Sequence, residues 1–332
     1  MTSRGLRLVA SLGALLLLAA CGGGSATAPD EPRAQHTDPD AAFPVSVVTK
    51  FGEVTVDAPP TRVVAMGWGD AETALALGVQ PVGAADWLDF GGEGVGPWAA
   101  GRYSAPPEII GTLEPSYEQV AALRPDLILD TKSSGDQQRY DLLSRIAPTI
   151  ALPPGAENYK TTLTDQVTMV AAALGVPERG RELIADVEGR FAAAAAAHPE
   201  FAGRTVTVAA RSGTGWGAYA SSTERVEFMT RLGFVPNPRI ESLPEVRFSH
   251  PVSEEQLSVL DADLVVVFPI QRTAAEVEAT PLFAEIPAVQ AGRAIVFEDP
   301  AVQKAYSTNS VLSIRFALDA VVPLVAERLS GE

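Results

Sequence analysis

The chain has 332 residues, enough for about two domains of ordinary size, each able to bury a core. Asp and Glu number 41 against 25 Lys and Arg, an acidic balance whose overall field does not hold nucleic acid or anionic lipid. One cysteine and three scattered histidines (His36, His198, His250) exclude an internal disulfide framework and any multi-cysteine or His-rich metal centre.

The first predicted element is a targeting segment. Arg4 and Arg7 precede a mostly apolar run, Leu8 to Ala20, of 13 residues, short of the roughly 20 that span a bilayer. Residues 1–20 therefore read as a secretory signal. The run ends in Leu18-Ala19-Ala20-Cys21, followed by Gly22-Gly23-Gly24-Ser25, which resembles the bacterial lipobox. In that pattern the cysteine is diacylated and becomes the mature N-terminus, so Cys21 is the expected lipid attachment point on the extracytoplasmic face of the cell membrane. Two acyl chains anchor stably where one does not. Arg4 and Arg7 are the only charged residues of the first 20, so a chain beginning at Cys21 carries −18 rather than −16. Residues 21–43, rich in Gly, Pro, Ala and Asp without an apolar period, read as a flexible tether.

From Val45 onward short apolar runs alternate with helical patterns, which argues an α/β fold. Thr61 to Met66 reads as a buried strand leading through Gly67-Trp68-Gly69 into a helix that ends near Leu77-Gly78. Arg204 to Ala209 reads as a second such strand, leading through a loop, Arg211 to Gly217, into a helix ending near Leu232-Gly233. Gly at the helix stop, with Pro81 or Pro236 soon after, is the expected terminator. A closer correspondence follows. Ser116-Tyr117-Glu118-Gln119-Val120 runs on to Asp126-Leu127-Ile128-Leu129, and Ser253-Glu254-Glu255-Gln256-Leu257 runs on to Asp263-Leu264-Val265-Val266, at a constant offset of 137. Each predicts a Ser-capped helix with Gln in the capping-box position, then a buried strand. Between the halves, Leu163, Val167, Ala171 and Leu174 mark one helix. A second starts at Pro177, a favoured first-turn residue, and runs to about His198. Twenty-odd helical residues extend roughly 30 Å, long enough to join two lobes directly and stiff enough to limit a wide hinge. The expected organisation is an N-terminal lobe over 44–158, a helical connection over 159–203 and a C-terminal lobe over 204–332.

No catalytic constellation survives inspection. The chain has no G-x-S-x-G elbow, Walker loop, H-E-x-x-H or EF-hand pattern. Gly213-Thr214-Gly215-Trp216-Gly217 lacks the G-x-G-x-x-G spacing of dinucleotide loops, and Trp216 would crowd a pyrophosphate. Among 41 acids nothing nominates a particular catalytic pair.

The segments Arg62 to Glu72, Leu77 to Gly83 and Leu123 to Leu129, with the tail Gly292 to Phe297 followed by Tyr306 and a helix from Asn309, resemble the iron–siderophore substrate-binding lipoproteins of bacterial ABC importers. The resemblance covers about residues 44–330 and extends to haem and cobalamin binders of the same superfamily. It implies two Rossmann-like lobes joined by a single long helix, a ligand cleft between them, and no catalysis. It implies capture of a ferric siderophore, without a cofactor and without protein ligands to the iron, which the chelator's own oxygens hold. The implied partners are a transmembrane permease dimer and its cytoplasmic ATPase, with the binding protein itself a monomer. Haem or a corrinoid in the same cleft, and a secreted lipoprotein hydrolase, stay open as alternatives.

Glu118 and Glu255 hold the same place in the repeat. A carboxylate there is stabilised by the positive end of a helix, which explains first-turn acids generally. The resemblance adds a role for such a pair, one per lobe: docking onto permease arginines. Ligand residues should come from loops at the carboxyl ends of strands. Trp68, Trp87, Arg211, Trp216, Tyr219 and Tyr306 are the candidates, with Arg102, Lys132, Arg225, Arg247 and Lys304 as weaker ones because lone cations are usually solvated. Each aromatic could instead be a packing residue, and Arg211 an ion-pair partner. Arginine forks and tyrosine hydroxyls suit the oxygen shell of a ferric chelate.

Overall fold

The computed structural model describes residues 43–330 apart from 245 and 247; the signal segment, Cys21 and the tether up to residue 42 lie outside the described residues. The chain opens with an antiparallel hairpin, β1 (Val45–Thr49) and β2 (Gly52–Val56). The first lobe then alternates β3 (Val63–Ala65), α1 (Asp70–Ala76), β4 (Gly83–Ala85), β5 (Glu108–Ile110), α2 (Tyr117–Ala122), β6 (Leu127–Leu129), α3 (Gln137–Ser144) and β7 (Thr149–Ile150). Its five strands are all parallel, in the order β5-β4-β3-β6-β7. β3, β4 and β6 are buried throughout, as strands covered by helices on both faces must be.

Two helices follow, α4 (Leu163–Ala173) and α5 (Pro177–Ala197). α5 starts at the predicted proline and is capped by His198; its buried residues Leu183, Val187 and Phe191 recur at helical spacing on one face.

The second lobe contains β8 (Thr205–Ser212), β9 (Gly215–Tyr219), α6 (Glu224–Arg231), β10 (Val235–Pro236), α7 (Pro238–Glu241), β11 (Ser249–Val252), a 3-10 helix (Glu254–Leu260) and β12 (Leu264–Pro269). It continues through the short helices α8 (Ala274–Glu278), α9 (Pro281–Ala284) and α10 (Pro287–Gln290) to β13 (Ala294–Val296), α11 (Pro300–Thr308) and α12 (Val311–Leu329). The sheet runs β11-β9-β8-β12-β13, with β10 also paired to β8. β8, β12 and β13 are parallel, whereas β9 is antiparallel to both β8 and β11. α12 packs against α5 and back against α1 of the first lobe. One core cluster runs from the first sheet through α4, α5 and α12 to the second, and the remaining faces of the sheets bury smaller clusters of their own.

The repeat survives as topology, with two local departures. Leu127 pairs with Val63 in one lobe and Leu264, its counterpart at offset 137, pairs with Val206 in the other. The preceding acids act alike: Asp126 accepts from the Thr61 amide and hydroxyl (2.7 Å each), and Asp263 from those of Thr205 (2.7 and 2.8 Å). Burial opposes ionisation of Asp263, but these bonds outweigh it and hold its carboxyl below the usual range. The first departure is in the capped helices. Ser116 caps an α-helix, its hydroxyl accepting from the Gln119 amide at 3.3 Å, whereas Ser253 opens a 3-10 helix and its hydroxyl bonds the Gln256 side chain instead. The second is that the expected loop Arg211 to Gly217 is a hairpin, because Gly213-Thr214 turns β8 directly into β9.

Candidate functional site

The strand order of the first sheet sends the chain away in opposite directions from β3 and β6, so a crevice opens at their adjacent carboxyl ends. The loops leaving these strands are Gly67-Trp68-Gly69 and Asp130-Thr131-Lys132, joined by the Trp68 amide donating to the Lys132 carbonyl at 2.9 Å. The fully buried Asp70 carboxylate ties them further. It accepts from the Gly67 amide (2.9 Å), the Thr131 amide (3.0 Å), the Thr131 hydroxyl and the Gln166 side chain (2.7 Å). Gln166, on α4, also donates to the Trp68 carbonyl at 2.9 Å. Position 67 admits only glycine here, since a Cβ would lie 2.8 Å from the Lys132 amide nitrogen. Burial pushes the Asp70 carboxyl up to about 6 against the pull of the Thr131 and Gln166 bonds. Behind it, buried Asp130 pairs with Arg139 through three bonds (2.7, 3.0 and 3.2 Å), and Arg139 donates on to the Thr112 carbonyl at 2.9 Å. Burial raises the Asp130 carboxyl although Arg139 opposes it.

Trp68, so held, stacks on Trp87 (4.2 Å between centroids, 10°) and on Tyr159 (4.4 Å, 31°). The facing wall comes from the second lobe, and register shows which residues correspond. Ala65 pairs with Leu129 and Val208 with Val266, so Ala65 and Val208 stand at equivalent heights. From Val208 the chain rises through the hairpin and returns at Tyr219, one residue beyond the Ala209–Ala218 pair. α1 begins five residues after Ala65 and α6 five residues after Tyr219. Glu224 thus corresponds to Asp70, and Ser222 to Trp68. Glu224 reaches across to form an ion pair with Lys132, whose side chain is 3% exposed against 19% for Glu224. Beside them Lys160 donates to the Ser222 hydroxyl (3.3 Å) and pairs with Glu157 (3.0 Å). The Arg225 guanidinium lies over the Tyr219 and Phe268 rings at 4.8 and 5.4 Å. Trp68, Trp87, Lys132, Tyr159, Lys160, Ser222, Glu224 and Arg225, with Thr162, Thr223, Glu227, Phe248 and Ser307, line a cavity of about 70 Å³. Three polar atoms of its lining, Trp68 Nε1, Glu224 Oε1 and Arg225 Nε, are buried with no hydrogen-bond partner among the described residues. Such groups are costly in a folded protein, and here two donors and one acceptor gather at one cavity. Among the described residues no group of three or more His, Cys, Asp or Glu is placed to hold a metal ion.

A family model described as periplasmic binding protein matches residues 63–301. The chain belongs to that family. Its members are solute-binding proteins. Two relatives from Bacillus subtilis (strain 168) are an Fe(3+)-citrate-binding protein, 29% identical over 219 residues, and a probable siderophore-binding lipoprotein, 28% identical over 224 residues. The matches cover 65% and 64% of this chain, and 65% of each relative's own length. A solved periplasmic solute binding protein from Mycobacterium smegmatis str. MC2 155 superposes with a TM-score of 0.76 at 29% identity, covering 86% of this chain and 99% of that one. The two-lobed α/β architecture is the one the sequence leads one to expect.

The candidate ligand residues divide. Trp68 and Trp87 line the cavity together. Tyr219 is buried behind it, under the Arg225 guanidinium. Trp216 is corrected from ligand to core: strand alternation in β9 sends it to the opposite face from Tyr219, where it is 4% exposed and stacked on Phe283. Tyr306 is likewise a core residue, because α11 turns it inward onto Phe228, Phe268 and Phe297; it is 2% exposed and its hydroxyl donates to the Arg225 carbonyl at 2.6 Å. Arg211 pairs with Glu254 at 3.0 Å, away from the cavity lining. Lys132 and Arg225, weaker candidates by sequence, are central. Tyr159, Lys160, Ser222 and Glu224 were missed; the start of α6 was findable only by allowing for an inserted hairpin. Glu118 and Glu255 are both exposed at the starts of their helices. Each helix is entered from a strand, β5 or β11, that runs in the common direction of its sheet's parallel strands.

Proposed function

We propose that the protein captures a ferric siderophore in the cleft between its lobes and delivers it to an ABC import permease, catalysing nothing. The observation that carries this reading is the cavity of stacked aromatic rings with two unpartnered donors and one unpartnered acceptor in its walls. A siderophore fills the coordination sphere of its iron, so its host needs flat apolar faces and donors to an oxygen cluster rather than ligands to the metal. In this reading Cys21 carries the lipid that keeps the protein on the extracytoplasmic face of the cell membrane, and the chain acts as a monomer. Glu118 and Glu255 present exposed charges at one end of each lobe, suited to setting the docking register on permease arginines, with the cytoplasmic ATPase driving release.

The deciding experiment titrates the purified full-length chain with ferric siderophores, ferric citrate, haem and cobalamin, following tryptophan fluorescence. Quenching by a ferric chelate is expected from the position of Trp68 and Trp87; binding of haem or cobalamin alone overturns the reading. For docking, Glu118→Ala/Glu255→Ala is expected to abolish uptake in cells while leaving chelate affinity unchanged, and undiminished uptake refutes that role.

A further inference from the structure

An ion pair joins the two walls of the cleft. Lys132 belongs to the first lobe and Glu224 to the second, and both line a cavity of about 70 Å³, well below the roughly 300–1,000 Å³ of small-molecule sites. A ligand of chelate size enters only when the pair parts. Lys132 is almost wholly buried, and a buried charge that loses its partner is strongly destabilising. An occupant must therefore replace both halves. Chelate oxygens can satisfy Lys132, and with it the unpartnered donors of Trp68 and Arg225. Glu224 needs the opposite: a positive charge or an N–H donor.

Among the described residues no neighbour other than Lys132 pairs with Glu224. Glu227, one turn along α6, lines the same cavity and is another acid; its carboxyl is raised by burial and by Glu224 itself. Lys160 is engaged by Glu157 and Ser222, and the Arg225 guanidinium rests on two rings. Arg231 acts on Glu227 from the far end of the helix. Once Lys132 turns to the ligand, the carboxylates of Glu224 and Glu227 remain on the α6 side of the cavity, with the Arg225 guanidinium held over its two rings beside them.

We propose that Glu224 is a specificity residue that favours ferric chelates bearing a cationic or N–H donor arm beside the oxygen shell, and disfavours polyanionic chelates. This deepens the ferric-siderophore reading and rests on it. Hydroxamates on ferric iron sum to a neutral shell, whereas catecholates sum to a strongly anionic one, so the class that fits is a hydroxamate-type chelate with a free amine.

The test compares ferrioxamine B, which carries an ammonium arm, with its N-acetylated form, which has the same iron shell and no charge, and with a ferric tris-catecholate. For the wild-type full-length chain the ammonium form is expected to bind about tenfold or more tightly than the acetylated one, the scale of a charge-assisted hydrogen bond. Glu224→Gln is expected to bring the two within about twofold, as the loss of that charge-assisted bond requires. The double variant Glu224→Gln/Lys132→Met, which leaves no charge of the pair buried alone, should show the same loss of preference and guards against a folding defect in the single one. Equal affinities in the wild type, tighter binding of the catecholate, or a preference that persists in both variants overturns the assignment to Glu224 while leaving siderophore capture standing. Failure of every ferric chelate to bind overturns both.

Discussion

The two lobes share a plan and differ in what fills their interiors. All five Asp, Glu, Lys and Arg residues buried among the described residues, namely Asp70, Glu72, Asp130, Lys132 and Arg139, belong to the first lobe. The second lobe buries Phe228, Phe268, Phe283, Tyr306 and Trp216 instead, ring against ring. The cleft walls inherit the difference. Trp68 and Lys132 are fixed by hydrogen bonds converging on Asp70, a network with defined donors and acceptors. The start of α6 is backed by aromatic packing that has shape but little polar direction. One wall is therefore sensitive to protonation, the other to volume.

The comparison is most severely tested by one core substitution in each lobe. Arg139→Met leaves Asp130 buried without its cation and should cost about 3–5 kcal/mol at neutral pH. Because the folded-state Asp130 carboxyl is already raised, acidification neutralises it, and chemical denaturation should show part of the loss recovered as the pH falls. Phe268→Ala in the second lobe should also cost about 3–5 kcal/mol, with no such recovery; an equal response to pH in the two variants would dissolve the distinction. Asp70→Asn comes next. The Asp70 carboxyl rises from 3.8 to about 6 on folding, so the folded state binds this proton more tightly and the group's contribution to stability falls as pH climbs through that window, by roughly 3 kcal/mol. The stability gap between wild type and Asp70→Asn should accordingly be wider at pH 4.5 than at pH 7, and chelate affinity of the variant should drop because Trp68 and Lys132 lose their common anchor.

Smaller effects probe what the lobes have in common. Thr61→Val and Thr205→Val remove matching hydroxyls from Asp126 and Asp263, and each should cost about 1–2 kcal/mol; a marked inequality would show that the repeat is topological only. Glu118→Ala and Glu255→Ala, both exposed, should each change stability by less than about 0.5 kcal/mol, which makes any loss of transport a matter of docking.

Local signals were read reliably where the physics is local. The spacing of apolar residues and a first-turn proline located α5, and the offset of 137 located β6 and β12 as equivalent strands. Gly67-Trp68-Gly69 and Gly215-Trp216-Gly217 look interchangeable by the same kind of reading, yet one Trp stacks in the cleft and the other sits in a core. The hairpin between Val208 and Tyr219 displaces the true counterpart of Trp68 to Ser222, and only strand register exposes that displacement.

Elements, their order and the two-lobed division follow from patterns that repeat every few residues, because helix and strand formation depends on near neighbours. The Lys132–Glu224 pair, the meeting of Trp68 with Tyr159 and the convergence of Gln166 on Asp70 belong to the folded molecule alone. They join residues far apart in the chain through strand register and the packing of α4 and α6, and neither composition nor periodicity carries that information.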